Sequence, residues 1–176
     1  LARDNRILWV NSIGYRTPSV VSKSDMSRAV KKLMAAAAPI REVEPNIFVL
    51  NPIAIPIYGP FGSIVNRVLL KFQIRRAMRK LKFSRPINWM FNPAAAMIAG
   101  HLNEKMVIYY CVDEYTAFSG VASGAVARLE NQLLRRADLV IVSADKLYES
   151  KSRLNPNTVL VRHGVDFNHF KKALDD

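Results

Sequence analysis

Two carboxylates and a phenol, Asp113-Glu114-Tyr115, come directly after the apolar run Lys105-Met106-Val107-Ile108-Tyr109-Tyr110-Cys111-Val112. Such a run is the pattern of a strand covered on both faces, so the acids emerge where the chain leaves a sheet and where ligands of open α/β sheets lie. There they can exchange hydrogen bonds with a bound molecule; Asp113 equally fits the cap of a following helix or turn. A second group is Arg162-His163-Gly164-Val165-Asp166-Phe167, after another apolar run. His163 can titrate near neutral pH or donate to a substrate oxygen, and Gly164 permits close backbone approach. The same residues also make an ordinary turn with a structural histidine. In a third loop, Asn11-Ser12-Ile13-Gly14-Tyr15-Arg16-Thr17-Pro18, Arg16 either meets an anion or stays solvated.

Several chemistries lack their residues. No G-x-G-x-x-G or Walker pattern occurs, which disfavours a nucleotide-sugar epimerase or dehydrogenase. Ser119-Gly120 and Ser123-Gly124 do not make a hydrolase elbow. The histidines at 101, 163 and 169 have no partner carboxylates at ligand spacing, so no metal is expected. The single cysteine, Cys111, excludes a disulfide framework and fits a small buried hydrophobe in a reducing compartment.

The elements that must position these loops are legible as alternating strands and helices. Strands are expected at 6–10, 46–50, 86–91, 105–112, 138–143 and 158–161. Helices are expected at 27–38 (Ala-rich and stopped by Pro39), 94–102, 126–137 and 145–154, with a turn at Asn155-Pro156-Asn157. Val126, Leu129, Leu133 and Leu134 form the apolar stripe of one helix, and Leu147 and Leu154 are expected to share a face of the next. Continuous apolar strands separated by helices predict an α/β domain with one open, mostly parallel, six-stranded Rossmann-like sheet and helices on both faces. With 176 residues, half of them hydrophobic, the chain can bury one good core. Residues 1–6 fit the tail of a helix. In such a domain that helix follows a strand, so a further strand and its loop are expected upstream. Residues 171–176 fit the start of a linker.

The charge balance is 26 Lys+Arg against 14 Asp+Glu, a net +12, and its excess is concentrated. Residues 62–85 hold Arg67, Lys71, Arg75, Arg76, Arg79, Lys80, Lys82 and Arg85 and no acid. Leu70, Ile74, Ala77, Met78 and Leu81 make one helical stripe; Ile64, Val65, Val68 and Phe72 make a second apolar face. An apolar, proline-broken loop at 53–61 feeds this segment. The combination suits contact with an anionic membrane surface or another anionic acceptor, and the alternative is a solvated helix face packed on the domain or on a missing partner domain. Nucleic acid fits less well, since only Phe72 and Phe83 interleave the charges. No apolar stretch reaches the length of a membrane-spanning helix, and because residues 1–6 run directly into a strand pattern no signal peptide is expected there.

Three segments together resemble GT-B glycosyltransferases of the group 1 (family 4) type, over residues 86–170. They are Val107-Ile108-Tyr109-Tyr110-Cys111-Val112-Asp113-Glu114-Tyr115 followed by Phe118; Leu129-Glu130 with Arg136-Ala137-Asp138-Leu139-Val140-Ile141-Val142-Ser143; and Val161-Arg162-His163-Gly164-Val165-Asp166-Phe167 with Phe170. The resemblance implies that residues 1–170 are the N-terminal, acceptor-side lobe of a two-lobed cytoplasmic enzyme. It would move a sugar from a nucleotide-sugar donor to a polysaccharide or lipid-linked acceptor, with retention of configuration. The C-terminal nucleotide-sugar lobe, with its Glu-x7-Glu motif, is not among these residues, so this lobe alone is expected to be inactive. Asp113 falls where some relatives place an Asp or His near the reacting carbon, and Glu114, Tyr115, His163, Gly164 and Asp166 fall where acceptor or donor sugar is bound. His163 departs from the family's usual Asn. The basic segment fits a peripheral site on the inner membrane face, where many relatives meet lipid-linked acceptors. The nucleotide sugar is a substrate, and no cofactor is implied. The rival reading is a non-catalytic α/β domain docking on anionic lipid or nucleic acid.

Overall fold

A computed structural model describes residues 2–11, 40–53, 59–115 and 123–164. The strands are β1 (Ile7–Val10), β2 (Arg41–Glu44), β3 (Ile47–Leu50), β4 (Ile87–Met90), β5 (Met106–Cys111), β6 (Leu139–Val142) and β7 (Thr158–Leu160). The helices are α1 (Gly59–Lys80), α2 (Ser123–Arg136) and α3 (Asp145–Lys151), with a 3-10 helix at Pro93–Met97. The fold is α/β, with a four-stranded all-parallel sheet in the order β4-β5-β6-β7, consistent with a Rossmann-like open architecture.

All six expected strands are present, but they do not form one ladder. β1 and β3 pair in parallel in a separate sheet of order β1-β3-β2. The sequence reading also missed β2, which is antiparallel to β3 and exposed throughout. Its Arg-Glu-Val-Glu composition has no apolar run, and it is held by a tight hairpin in which Asn46 takes φ 68°, a conformation Asn tolerates. The expected helix at 94–102 shortens to the 3-10 turn, opened by Pro93 and by the Asn92 side chain accepting from the Ala94 N–H at 2.8 Å. Conversely, α1 begins at Gly59, inside the segment expected to be irregular. Leu154 lies beyond α3 and is exposed, so it does not share the buried face of Leu147. The helix expected at 27–38 and the linker at 171–176 lie outside the described residues.

Packing places the described helices on one side of both sheets. Met90, Val107, Tyr109, Cys111, Val140 and Val142 share a core with Ala96, Leu133, Leu134 and Leu147 from the helical layer. Leu50 and the inward faces of Leu8 and Val10 pack with Ile74, Ala77 and Met78 of α1, and Ile98 packs against both clusters. α1 is fastened by Gln73, whose side chain accepts from the Ile53 N–H at 2.9 Å and donates to its carbonyl at 3.0 Å. It ends where Lys82 turns left-handed (φ 56°), so that the Phe83 N–H reaches the Met78 carbonyl at 2.8 Å. α2 ends on Asn155, whose Nδ2 donates to the carbonyls of Leu134 (2.7 Å) and Ala137 (2.8 Å). The same side chain accepts from the Asn157 N–H at 2.9 Å, which builds the turn into β7.

Candidate functional site

Loops gather at the carboxyl ends of parallel strands, and the turn after β5 is fixed there from several sides. Ser143, just past β6, donates its hydroxyl to the Val112 carbonyl at 3.0 Å. The Cys111 thiol reaches the Asp113 carbonyl at 3.4 Å, and the Tyr115 hydroxyl donates to the Phe91 carbonyl beyond β4. Lys151 Nζ donates to both Glu114 carboxylate oxygens, at 3.2 and 3.0 Å. These contacts fix the backbone while the Asp113 side chain stands exposed at the crest of the turn.

Beneath the turn lies a buried polar cluster. Lys151 is 5% exposed and Glu130 3%, and they pair at 2.9 Å. The Tyr109 hydroxyl donates to the other Glu130 oxygen at 2.8 Å, and the Cys111 thiol approaches that oxygen at 3.7 Å. Burial pulls the Lys151 ammonium down, but hydrogen bonds and charge from Glu130 and Glu114 outweigh it and hold its pKa above the ordinary value. Burial, then the neighbouring Cys111 and Glu130, pushes the Tyr109 phenol far up. Burial likewise raises the Cys111 thiol to about 11 and the Tyr115 phenol to about 12. All three are therefore protonated hydrogen-bond donors at neutral pH.

His163 and Gly164 are exposed after β7, and the His163 ring meets Tyr110 edge-on with centroids 6.1 Å apart. Tyr110 in turn meets Phe91 at 5.8 Å and Trp89 at 6.3 Å, and Phe91 meets Trp9 at 5.8 Å. The turn and His163 are thereby joined through one file of rings on the sheet face away from the described helices. Arg162 is tied instead to Asp145, at 2.8 Å, in an exposed pair. Asp166, and Arg16 in the loop after β1, lie outside the described residues.

The basic residues form a second surface. Arg67, Arg75, Arg76, Arg79, Lys80 and Lys82 are exposed and Lys71 is half-buried. Leu70, Ile74, Ala77 and Met78 face the core as their stripe predicts, whereas Ile64, Val68 and Phe72 are 55%, 64% and 57% exposed. The side chain of Val65 lies outside the described residues. The exposed apolar row runs at four-residue spacing beside the row Arg67, Lys71, Arg75 and Arg79, and a groove of about 610 Å³ opens at its C-terminal part, lined by Val68, Lys71, Phe72, Arg75, Met78, Arg79 and Phe83. Arg75 donates to the His101 carbonyl at 3.0 Å. Burial chiefly, then Arg136, Lys71 and Arg67, lowers the pKa of His101.

Sequence reasoning missed the polar cluster and the ring file. Glu130 did carry a signal: it lies four residues after Val126 and four before Leu134, an acid at a core position of the helical stripe. Lys151 follows Leu147 by one turn and shares its buried face. Trp89 and Phe91 did carry a signal, two residues apart in the strand expected at 86–91, but Trp9, Tyr110 and His163 join them from other parts of the chain, which no spacing reveals. Among the described residues, no cluster of His, Cys, Asp and Glu could hold a metal ion, and no helix is long and apolar enough to cross a membrane. Compared with family models and with curated proteins, the chain matches none.

Proposed function

We propose that this chain is the acceptor-side lobe of a GT-B glycosyltransferase of the group 1 (family 4) type, moving a sugar from a nucleotide-sugar donor to a polysaccharide or lipid-linked acceptor. The observation that carries the reading is the turn after β5: an exposed Asp113 on a backbone fixed by Ser143, Cys111, Lys151 and Tyr115, at the carboxyl end of a parallel sheet. A carboxylate carried on that backbone orients sugar hydroxyls and stabilises the positive charge that builds at the reacting carbon. Tyr115 follows it in the same turn, His163 meets the Tyr110 ring, and the rings of Trp89, Phe91 and Tyr110 offer flat apolar faces to the acceptor. The donor's diphosphate belongs to a second lobe bearing the Glu-x7-Glu motif. Transfer takes place in the cytoplasm, at the inner membrane face, and invokes no resident metal or cofactor.

The α1 surface supports the membrane part of this reading. Ile64, Val68 and Phe72 enter the headgroup boundary while Arg67, Lys71, Arg75 and Arg79 meet anionic lipid, each charge contributing about 1 kcal/mol. The test is turnover of the intact protein with a panel of nucleotide sugars. Asp113→Asn is expected to lower kcat by about 100-fold or more with the fold unchanged; wild-type turnover would remove Asp113 from the site. Replacing Arg75, Arg76, Arg79 and Lys80 together by Gln weakens sedimentation with anionic liposomes. The α1 groove also favours a second reading, a non-catalytic lipid-docking domain, which takes over if the intact protein sediments with such liposomes and transfers no sugar.

A further inference from the structure

We infer that Lys151 is a positioning residue, linking the buried Glu130 to Glu114 so that the core sets the place of the turn bearing Asp113. The inference rests on the transferase reading for its functional half and on geometry alone for its structural half. Lys151 closes α3, Glu130 sits mid-way along α2, and Glu114 lies in the turn after β5, so one ammonium joins three elements that are separate in the chain.

The order of burial sets the direction of control. Glu130 is 3% exposed and its two oxygens are committed, one to Lys151 and the other to the Tyr109 hydroxyl. A carboxylate so enclosed has nowhere to go and cannot shed its partner without leaving a bare charge in the core. Lys151, 5% exposed, is therefore pinned from below, and its remaining hydrogen-bonding capacity is aimed at both oxygens of Glu114. Glu114 is 41% exposed, the one member of the cluster open to solvent, and Asp113 precedes it directly. Both Glu114 oxygens accept from the lysine, which ties the turn to the core and leaves each oxygen a further lone pair. A displacement of about 1 Å at a reacting group can cost on the order of 100-fold in rate, so a tether of this kind bears on turnover.

The experiment uses the intact protein and the double variant Lys151→Met with Glu130→Gln, which removes the buried charges together and leaves Tyr109 an amide oxygen as acceptor. The expected result is amide exchange about tenfold faster or more at residues 113–115, with β5 and β6 protected as before. In the same variant kcat falls about tenfold or more, while KM stays within about twofold. Glu114→Ala, which leaves the buried pair intact, is expected to give the same acceleration at 113–115. Unchanged exchange there in both variants overturns the tether. Faster exchange with unchanged turnover supports the tether and overturns the placement of Asp113 in the site.

Discussion

The two faces of the four-stranded sheet are made of similar residues and meet opposite surroundings. Toward the helices, Tyr109, Cys111, Val140 and Val142 are all 0% exposed. On the other face the outer positions stay open, with Ile87 57% exposed, Trp89 40%, Val159 41% and Val161 51%, while Ile108 at its centre is buried at 7%. Among the described residues the difference is one of cover, since both faces are apolar. The helical face is closed by α2, α3 and the 3-10 turn, which place Leu133, Leu134, Ala96 and Leu147 against it. The opposite face holds its rings in contact with one another and gathers them beside the turn after β5. An exposed apolar patch of this kind marks a place where another surface or ligand is met. The polar groups are divided in the same way: a buried, fully paired cluster on the helical side, and exposed Asp113 and His163 at the rim.

This contrast can be broken by substitution. Lys151→Met is expected to cost about 3–5 kcal/mol in denaturant unfolding, because it leaves Glu130 buried without its counter-charge. Arg162→Gln, which breaks the exposed pair with Asp145, is expected to cost less than about 1 kcal/mol. The Lys151 pKa is raised on folding, so the stability it contributes is complete below its unfolded value of 10.5 and is lost as pH rises through the higher folded value. Equal costs for the two variants would erase the distinction between the buried pair and the exposed one.

Leu133→Ala comes next, at about 2–5 kcal/mol for a cavity in the closed core. Val161→Thr on the open face is expected to fall within about 0.5 kcal/mol. A core-like cost at Val161 would mean that this face is covered in solution. The gentlest probe is chemical. Cys111 is fully buried with its thiol raised to about 11, so at pH 8 it should react with a thiol reagent only as fast as the protein opens. Val159→Cys, on the open face, should react at once in the native protein. Prompt labelling of Cys111 would place it nearer the surface than the helical layer allows.

The sequence made β5 and β6 legible because each is a continuous apolar run, β4 and β7 because they are short, largely apolar and aromatic or β-branched stretches, and α2 because Val126, Leu129, Leu133 and Leu134 keep helical spacing. It could not reveal how β1 and β3 part from β4, since apolar strand runs carry no record of which neighbour they pair with. β2 was invisible for a different reason: Arg41-Glu42-Val43-Glu44 is specified by its hairpin and by pairing to β3, with no apolar signal. At the site, the Asp113-Glu114-Tyr115 turn was readable from its position after β5. Its attachment was not, because Ser143, Lys151 and Phe91 reach it across 24 to 37 residues or so of chain. The Glu130 position was a usable warning, because an acid on an apolar stripe needs a buried partner.

The asparagine that closes α2 also has a kinetic meaning. Asn155 grips two carbonyls at the end of that helix while its own backbone carbonyl accepts the Thr158 hydroxyl at 2.6 Å, at the first residue of the edge strand. Unwinding of the final helical turn and peeling of β7 thus share one latch, so the two should come apart in a single cooperative opening.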